Sequence, residues 1–276
     1  MSRISRLQQK FEQLYIDAFL VTDQKNIYYL TGFNLLQGDG CLLVTPQNAI
    51  IITDERYQLA LEEFESDEVV ATISRDYYGS VNKICEGLNL TVLGYEDTIS
   101  YHLFDVFDEL MTSDIVPFHH LIKKMRLVKD STEINKLRAA AELQSAGYDY
   151  FLSIVHPGVT ECELAIKLDY WMKMQGASGP SFPTIVASGA NSAKPHATAS
   201  SKPIVDGDVV TLDFGYYLDG YTADMTRTFA VGSIDPELRD VYKIVNEARQ
   251  LVIDHAKVGI RGNELDAYGR ALIEEA

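Results

Sequence analysis

The sequence predicts an α/β domain over residues 1–122, followed over residues 131–276 by a second domain of long helices and a β-hairpin. Three observations carry this expectation. Strand-forming runs alternate with helical patterns through the first 122 residues. A basic run, Lys123-Lys124-Met125-Arg126-Leu127-Val128-Lys129-Asp130, then separates the two regions as a linker over 123–130. Beyond it, Asp219-Gly220 sits between two runs rich in strand formers, which is a hairpin signal.

Taken in order, strands are expected over 17–22, 41–45, 49–53, 69–73, 91–95 and 114–118. Helices are expected over 5–15, 55–64, 78–88 and 101–112, giving a largely covered sheet. Nothing in this domain has catalytic spacing. Asn26-Ile27-Tyr28-Tyr29-Leu30-Thr31-Gly32-Phe33 is apolar and aromatic and reads as core packing. His119 and His120 are adjacent, so they point in different directions in either regular structure and make poor co-ligands. The charges of the linker read as solvated rather than as a nucleic-acid patch. After it, Asp130 or Ser131 caps a helix with Glu133 in its first turn. That helix runs to 155 and is stopped by His156-Pro157-Gly158.

A partial internal repeat follows. Gly158-Val159-Thr160-Glu161-Cys162-Glu163-Leu164 is echoed by Gly259-Ile260-Arg261-Gly262-Asn263-Glu264-Leu265, an offset of 259 − 158 = 101. A long helix precedes each copy (132–155 and 237–257) and another follows (161–175 and 263–275). Thr160 and Glu163 form a capping box in the first copy.

With 276 residues, 46% of them hydrophobic, the chain has material for substantial cores in one or two domains. Its net charge of −16 argues against nucleic acid and anionic membranes as partners. Cys41, Cys85 and Cys162 are scattered, show no metal-ligand spacing and read as small, reduced apolar residues. The first ten residues are polar and helical, unlike a signal peptide, and no apolar run approaches a membrane span. A cytoplasmic protein is expected.

The hairpin carries the chemistry, with strands over 209–213 and 221–229. If its loop residues are Leu218 and Asp219, Asp213 lies directly opposite Asp224. If they are Asp219 and Gly220, Asp213 opposes Thr226, and Asp224 lies one pair away on the same face. Either register puts the two carboxylates on one face with Cβ atoms roughly 4.5–8 Å apart; a three-residue loop would not. Like charges facing each other in a sheet are unfavourable unless a cation lies between them, and all-oxygen ligation suits a hard ion such as Mn²⁺ or Mg²⁺. The plain alternative is a surface hairpin whose aspartates face water.

Thr211-Leu212-Asp213-Phe214-Gly215, then Asp224-Met225-Thr226-Arg227-Thr228, with Ser188-Gly189-Ala190-Asn191 and Pro195-His196-Ala197 upstream, resembles the metallopeptidases of the methionine aminopeptidase, prolidase and creatinase superfamily. Within it the chain is most similar to Xaa-Pro aminopeptidases (aminopeptidase P) and Xaa-Pro dipeptidases (prolidases), from residue 3 to the last residue. The resemblance implies a creatinase/prolidase-like α/β N-terminal domain, of which segment 26–33 is characteristic. It also implies an α+β pita-bread catalytic domain built from two related halves, which the internal repeat fits. Two divalent metal ions, Mn²⁺ for preference, are implied as cofactors. Asp213 matches the bidentate ligand of one metal and Asp224 the ligand bridging both. His196 matches the catalytic histidine that contacts substrate near the scissile peptide. Phe182, fourteen residues before it, matches an aromatic of the substrate pocket. Arg227 reads as a charge partner for the acidic hairpin.

The function so implied is hydrolysis of the bond between an N-terminal residue and proline, on peptides with proline in second position. Aminopeptidase P is the first reading and Xaa-Pro dipeptidase the alternative, in a homo-oligomer. A non-catalytic pita-bread binding protein is the alternative from another class. Adding 101 to the hairpin positions passes Ala276, so the family's remaining ligands, one histidine and two glutamates, have no counterpart here. His255, Glu264, Glu274 and Glu275 read as helix residues. The expectation is therefore a C-terminally truncated chain with its second half incomplete, holding two of five metal ligands and inactive by itself.

Overall fold

A computed structural model describes all residues, Met1–Ala276, in two compact units, Met1–Asp130 and Ser131–Ala276.

The first unit opens with α1 (Arg3–Gln8) and α2 (Phe11–Leu14). The Ser2 hydroxyl accepts from the Ser5 N–H and starts α1, while left-handed Tyr15 ends α2. A turn at Gln9 and Lys10 thus splits the single helix expected over 5–15. β1 (Ala18–Val21) leads into α3 (Gln24–Thr31), a helix that the sequence had suggested only as core packing. Asp23 caps it by accepting from the Asn26 N–H, and Gly32 at φ 80° closes it. Its Ile27, Tyr29 and Leu30 are buried. Next come β2 (Gly40–Val44), β3 (Ala49–Thr53), α4 (Gln58–Glu62), β4 (Val69–Ile73), α5 (Tyr77–Gly87) and β5 (Val92–Glu96). The unit closes with α6 (Tyr101–Leu110), β6 (Asp114–Phe118) and α7 (Leu121–Met125).

The strands form one mixed sheet in the order β4-β3-β2-β1-β5-β6. Every residue of β1, β2 and β3 is buried, which is why these strands read as unbroken apolar runs rather than alternating ones. Alternation sorts them onto two faces. Phe19, Val21, Leu42, Val44 and Ile51 join Leu7, Phe11, Ile27 and Ile122, whereas Leu20, Leu43, Ile50 and Ile52 join Val81, Cys85 and Phe107. The expected linker is part of this unit in its first residues. α7 buries Ile122, the Tyr29 hydroxyl donates to the Met125 carbonyl at 3.1 Å, and Arg126 Nη1 donates to Asn26 Oδ1 at 2.8 Å.

The second unit contains α8 (Ser131–Ile154), α9 (Glu161–Met174), β7 (Gly179–Pro180), β8 (Ile185–Ser188), β9 (Val209–Leu218), β10 (Tyr221–Ala230), α10 (Pro236–His255) and α11 (Gly262–Glu275). Its antiparallel sheet is centred on β9, with β10 along one edge and β7 and β8 along the other. Val210, Leu212, Phe214 and Tyr216 are buried with Phe151 of α8 and Leu164, Leu168 and Met172 of α9. The alternate residues of β9, Thr211, Asp213 and Gly215, therefore face the other way.

The sequence repeat is a structural one. Gly158 and Gly259 have φ of 94° and 90°, and nothing would crowd a Cβ at either, so the left-handed backbone itself calls for glycine. The helix starts differ. Thr160 and Glu163 make a reciprocal capping box on α9, while Arg261 at the matching position of α11 makes no side-chain cap. No helix is long and apolar enough to cross a membrane.

Candidate metal centre and active site

The turn selects the register. Asp219 and Gly220 have φ of 48° and 77°, so both loop residues are left-handed, as a two-residue primed turn requires. Tyr221 pairs with Leu218, Thr226 with Asp213 and Asp224 with Gly215, the second of the two expected registers. Asp213 and Asp224 consequently share the face turned away from the core. Thr226 Oγ1 donates to Asp213 Oδ1 at 2.8 Å, and one pair along the Thr211 and Thr228 hydroxyls lie 3.1 Å apart. Burial, the charge of Asp213 and a hydrogen bond with Asp213 together push the Asp224 carboxyl above its ordinary range. The face carries more negative charge than its surroundings offset.

That imbalance is a test of fit for a cation. Two carboxylates converge with nothing positive between them, so a hard divalent ion held by Asp213 and Asp224 would relieve the repulsion. No group of three or more histidine, cysteine, aspartate or glutamate side chains arranged to hold a metal occurs in the structure. Two residues fall short of the roughly six donors of an octahedral oxygen site, so they fit as part of a ligand set.

Phe182 is drawn to the same place by a glycine. A Cβ on Gly215 would collide with Ser181 Oγ and lie 2.8 Å from Phe182 Cε1 and 2.9 Å from the Ala223 carbonyl oxygen. The Phe182 ring thus lies against the β9 residue directly opposite Asp224. The Ser181 N–H donates to the Gly215 carbonyl at 2.8 Å and fixes this approach. Sequence reasoning passed over Gly215, although a glycine inside a strand signals close approach of a neighbour.

His196 stands on the loop between β8 and β9, exposed and without a hydrogen bond. Its neighbour Ala197 is buried with Ile185 and Ala187, and Ile185 is the strand partner of Asp213. The loop is thereby fastened on the side that carries the aspartates. Arg227 departs from expectation: it makes no ion pair with the hairpin acids and donates instead to the Thr226 carbonyl at 2.8 Å. As the strand neighbour of Thr226 it projects to the opposite face. His255 lies in α10, where Nδ1 is 2.8 Å from the Leu251 carbonyl and the ring stacks on Tyr268. His119 is paired with Asp97 at 2.8 Å.

Residues 135–276 match metallopeptidase family M24, and residues 3–128 match the creatinase/prolidase N-terminal domain. An Xaa-Pro dipeptidase of Pyrococcus furiosus is 33% identical over 277 residues, spanning 99% of this chain and 77% of that protein. The solved structure of an Xaa-Pro dipeptidase from Bacillus anthracis matches with a TM-score of 0.90 at 38% identity, over 99% of this chain and 76% of that one. An X-Pro aminopeptidase from Thermotoga maritima matches with a TM-score of 0.89 at 32% identity, over 100% and 78%. The chain belongs to metallopeptidase family M24, with the creatinase/prolidase-type α/β domain followed by the pita-bread catalytic fold. Divalent metal ions come with that membership.

Proposed function

We propose that the protein is a metal-dependent Xaa-Pro dipeptidase, with Asp213 and Asp224 among the ligands of Mn²⁺ ions. The observation that carries the metal assignment is the pair itself, two carboxylates set diagonally on one face, with burial and then the charge of Asp213 raising the proton affinity of Asp224. For the substrate, the dipeptidase alternative displaces the aminopeptidase P reading, because relatives at 33% and 38% identity bear the name Xaa-Pro dipeptidase. The aminopeptidase match stands at 32%.

A bound divalent ion would polarise the scissile carbonyl and activate water. Around it, the chain's own residues divide the remaining work. Thr226 occupies one oxygen of Asp213 and holds that carboxylate in a single orientation. The Phe182 ring supplies an apolar wall for the proline side of the substrate. His196 donates a hydrogen bond to the carbonyl oxygen as negative charge builds there, a contribution worth roughly 2.7–4 kcal/mol for one well-placed donor. The protein works in the cytoplasm as a homo-oligomer.

Two readouts test separate parts of this reading. Calorimetric Mn²⁺ titration of wild type against Asp224→Asn tests the ligands, and equal affinity removes the metal assignment. Assays of Xaa-Pro dipeptides beside Xaa-Pro-Xaa tripeptides test the substrate. Tripeptides cleaved as fast as dipeptides would restore aminopeptidase P, and metal binding with no hydrolysis of either would favour the non-catalytic binding protein.

A further inference from the structure

Glu161, the first residue of α9, is fully buried and is not part of the hairpin. Both of its oxygens are occupied. Oε1 accepts from the Ser188 N–H and hydroxyl, each at 2.7 Å, and from Asn191 Nδ2 at 3.2 Å. Oε2 accepts from the Ser200 hydroxyl at 2.6 Å, the Ser200 N–H at 3.1 Å and the same Asn191 amide at 3.2 Å. Ser188 is the last residue of β8, Asn191 lies in the turn after it, and Ser200 lies at the far end of the segment that carries His196. One carboxylate therefore closes the loop 189–200 at both ends. A second clasp lies beside it, since Lys202 Nζ donates to the Ser188 hydroxyl at 2.8 Å and to Asp208 at 2.7 Å.

The helix does not account for this arrangement. Thr160 and Glu163 already cap α9, so Glu161 is free of that duty. The internal repeat offers a control: the position matching Glu161 is Gly262 (161 + 101), so α11 begins with no carboxylate at that position, its first-turn acid being Glu264, the counterpart of Glu163. A buried acid is costly unless its hydrogen bonds are complete. Here burial works to raise the carboxyl, but hydrogen bonds from Ser200 and Ser188 outweigh it and hold it below its ordinary range. The charge is kept, and its donors come from the loop, Asn191 and Ser200, and from Ser188, the strand residue that enters it.

We propose that Glu161 is a positioning residue that closes the loop 189–200 and holds His196 on the side of the sheet carrying Asp213 and Asp224. It rests on the proposed peptidase reading only for what His196 does there. The loop anchor itself is independent of metal and substrate.

Glu161→Gln keeps the size of the side chain but turns one acceptor into a donor facing N–H and O–H groups that also donate. Hydrogen exchange read by mass spectrometry on the metal-free chain is expected to quicken about tenfold or more over 189–202, the loss of charge-assisted bonds, with β9 and β10 close to wild type. Ser200→Ala, a milder change should Glu161→Gln fail to fold, is expected to loosen the same segment less. In the NMR spectrum the His196 ring signal should shift or broaden in both variants while His255 stays in place. Mn²⁺ affinity should be unchanged, which separates this result from the metal assignment: a wild type that binds no Mn²⁺ defeats the ligand reading and leaves the exchange result to decide the anchor. Unchanged exchange over 189–202 in either folded variant overturns the proposal, as does exchange that quickens equally in β9 and β10.

Discussion

In the first unit Asp54 is buried and receives the Tyr77 hydroxyl at 2.6 Å and two donors of Arg56 at 2.7 and 2.9 Å, whereas on the hairpin of the second unit Asp224 lies diagonally across from Asp213 with no cationic partner. The contrast extends to their neighbours. Asp39 accepts from Tyr57 and Arg56, and Asp17 accepts from Thr91 and the Val92 N–H. Asp54, Asp39 and Asp17 are held below the ordinary carboxylate range, by the Arg56, Tyr57 and Thr91 side-chain hydrogen bonds first. Glu96 moves the other way through burial, yet it too is furnished, accepting from the Thr22 and Asp23 N–H groups and the Asn26 amide. Asp224 rises by burial and by Asp213, and no donor offsets it. An acid that the fold has completed serves as scaffold, and the pair left in surplus is where the proposed metal is placed.

Acid should divide the two units most strongly. The depressed aspartates lend stability that is complete above about pH 4 and is lost as pH falls through their folded values. Asp224, being raised, contributes in the opposite sense, its share present at low pH and lost as pH rises. Glu96 follows Asp224 in sign and tempers the loss in its unit. The depressed Glu161, Glu163 and Asp240 carry the same liability into the second unit, fewer than the depressed Asp17, Asp39, Asp54, Glu55 and Asp97 of the first. Pepsin cleavage followed from about pH 4 to pH 2 is therefore expected to cut first within residues 1–130. First cuts in the hairpin would break the comparison.

Gly215→Leu tests the open face itself. The new side chain displaces Phe182 and Ser181, with an expected cost of about 1–3 kcal/mol for overpacking, read as a lower urea midpoint of the second unit. Mn²⁺ should then stabilise only the second unit, by about 1.4 kcal/mol at ten times the dissociation constant, and not at all in Asp224→Asn. Protection of residues 1–130 by Mn²⁺ would place a metal elsewhere. The smallest effect is also the sharpest in sign. At neutral pH without metal, Asp224→Asn is expected to stabilise its unit by about 0.2–1 kcal/mol, the value of relieving one cross-strand repulsion. Asp54→Asn should lower the melting temperature of the first unit. The same sign for both substitutions would mean that the two acids are partnered alike.

Much of this was legible in the sequence where the signal is local. The β2 and β3 runs, the capping box at Thr160 and Glu163, and the glycine turns at Gly158 and Gly259 depend on residues within a few positions of one another. α3 was less so, because its aromatic content masks a helical period over only eight residues. The choice between aminopeptidase P and Xaa-Pro dipeptidase was not legible in the hairpin, since Asp213 and Asp224 say nothing of how long a peptide is accepted. The ion pair expected for Arg227 failed because adjacent strand residues point to opposite faces.

By itself the sequence determined the two-domain order and the family, and it put Asp213 and Asp224 on a shared face for any two-residue turn, which preserves parity whichever residues form it. Tertiary structure decided the rest. It chose Asp219 and Gly220 as the loop, set Phe182 against Gly215, and buried Glu161 beneath the segment that bears His196. The last two join residues 27 to 39 positions apart in the chain. Periodicity and capping rules report only what near neighbours impose, so a carboxylate whose donors arrive from distant strands and loops becomes visible only once the chain has folded around it.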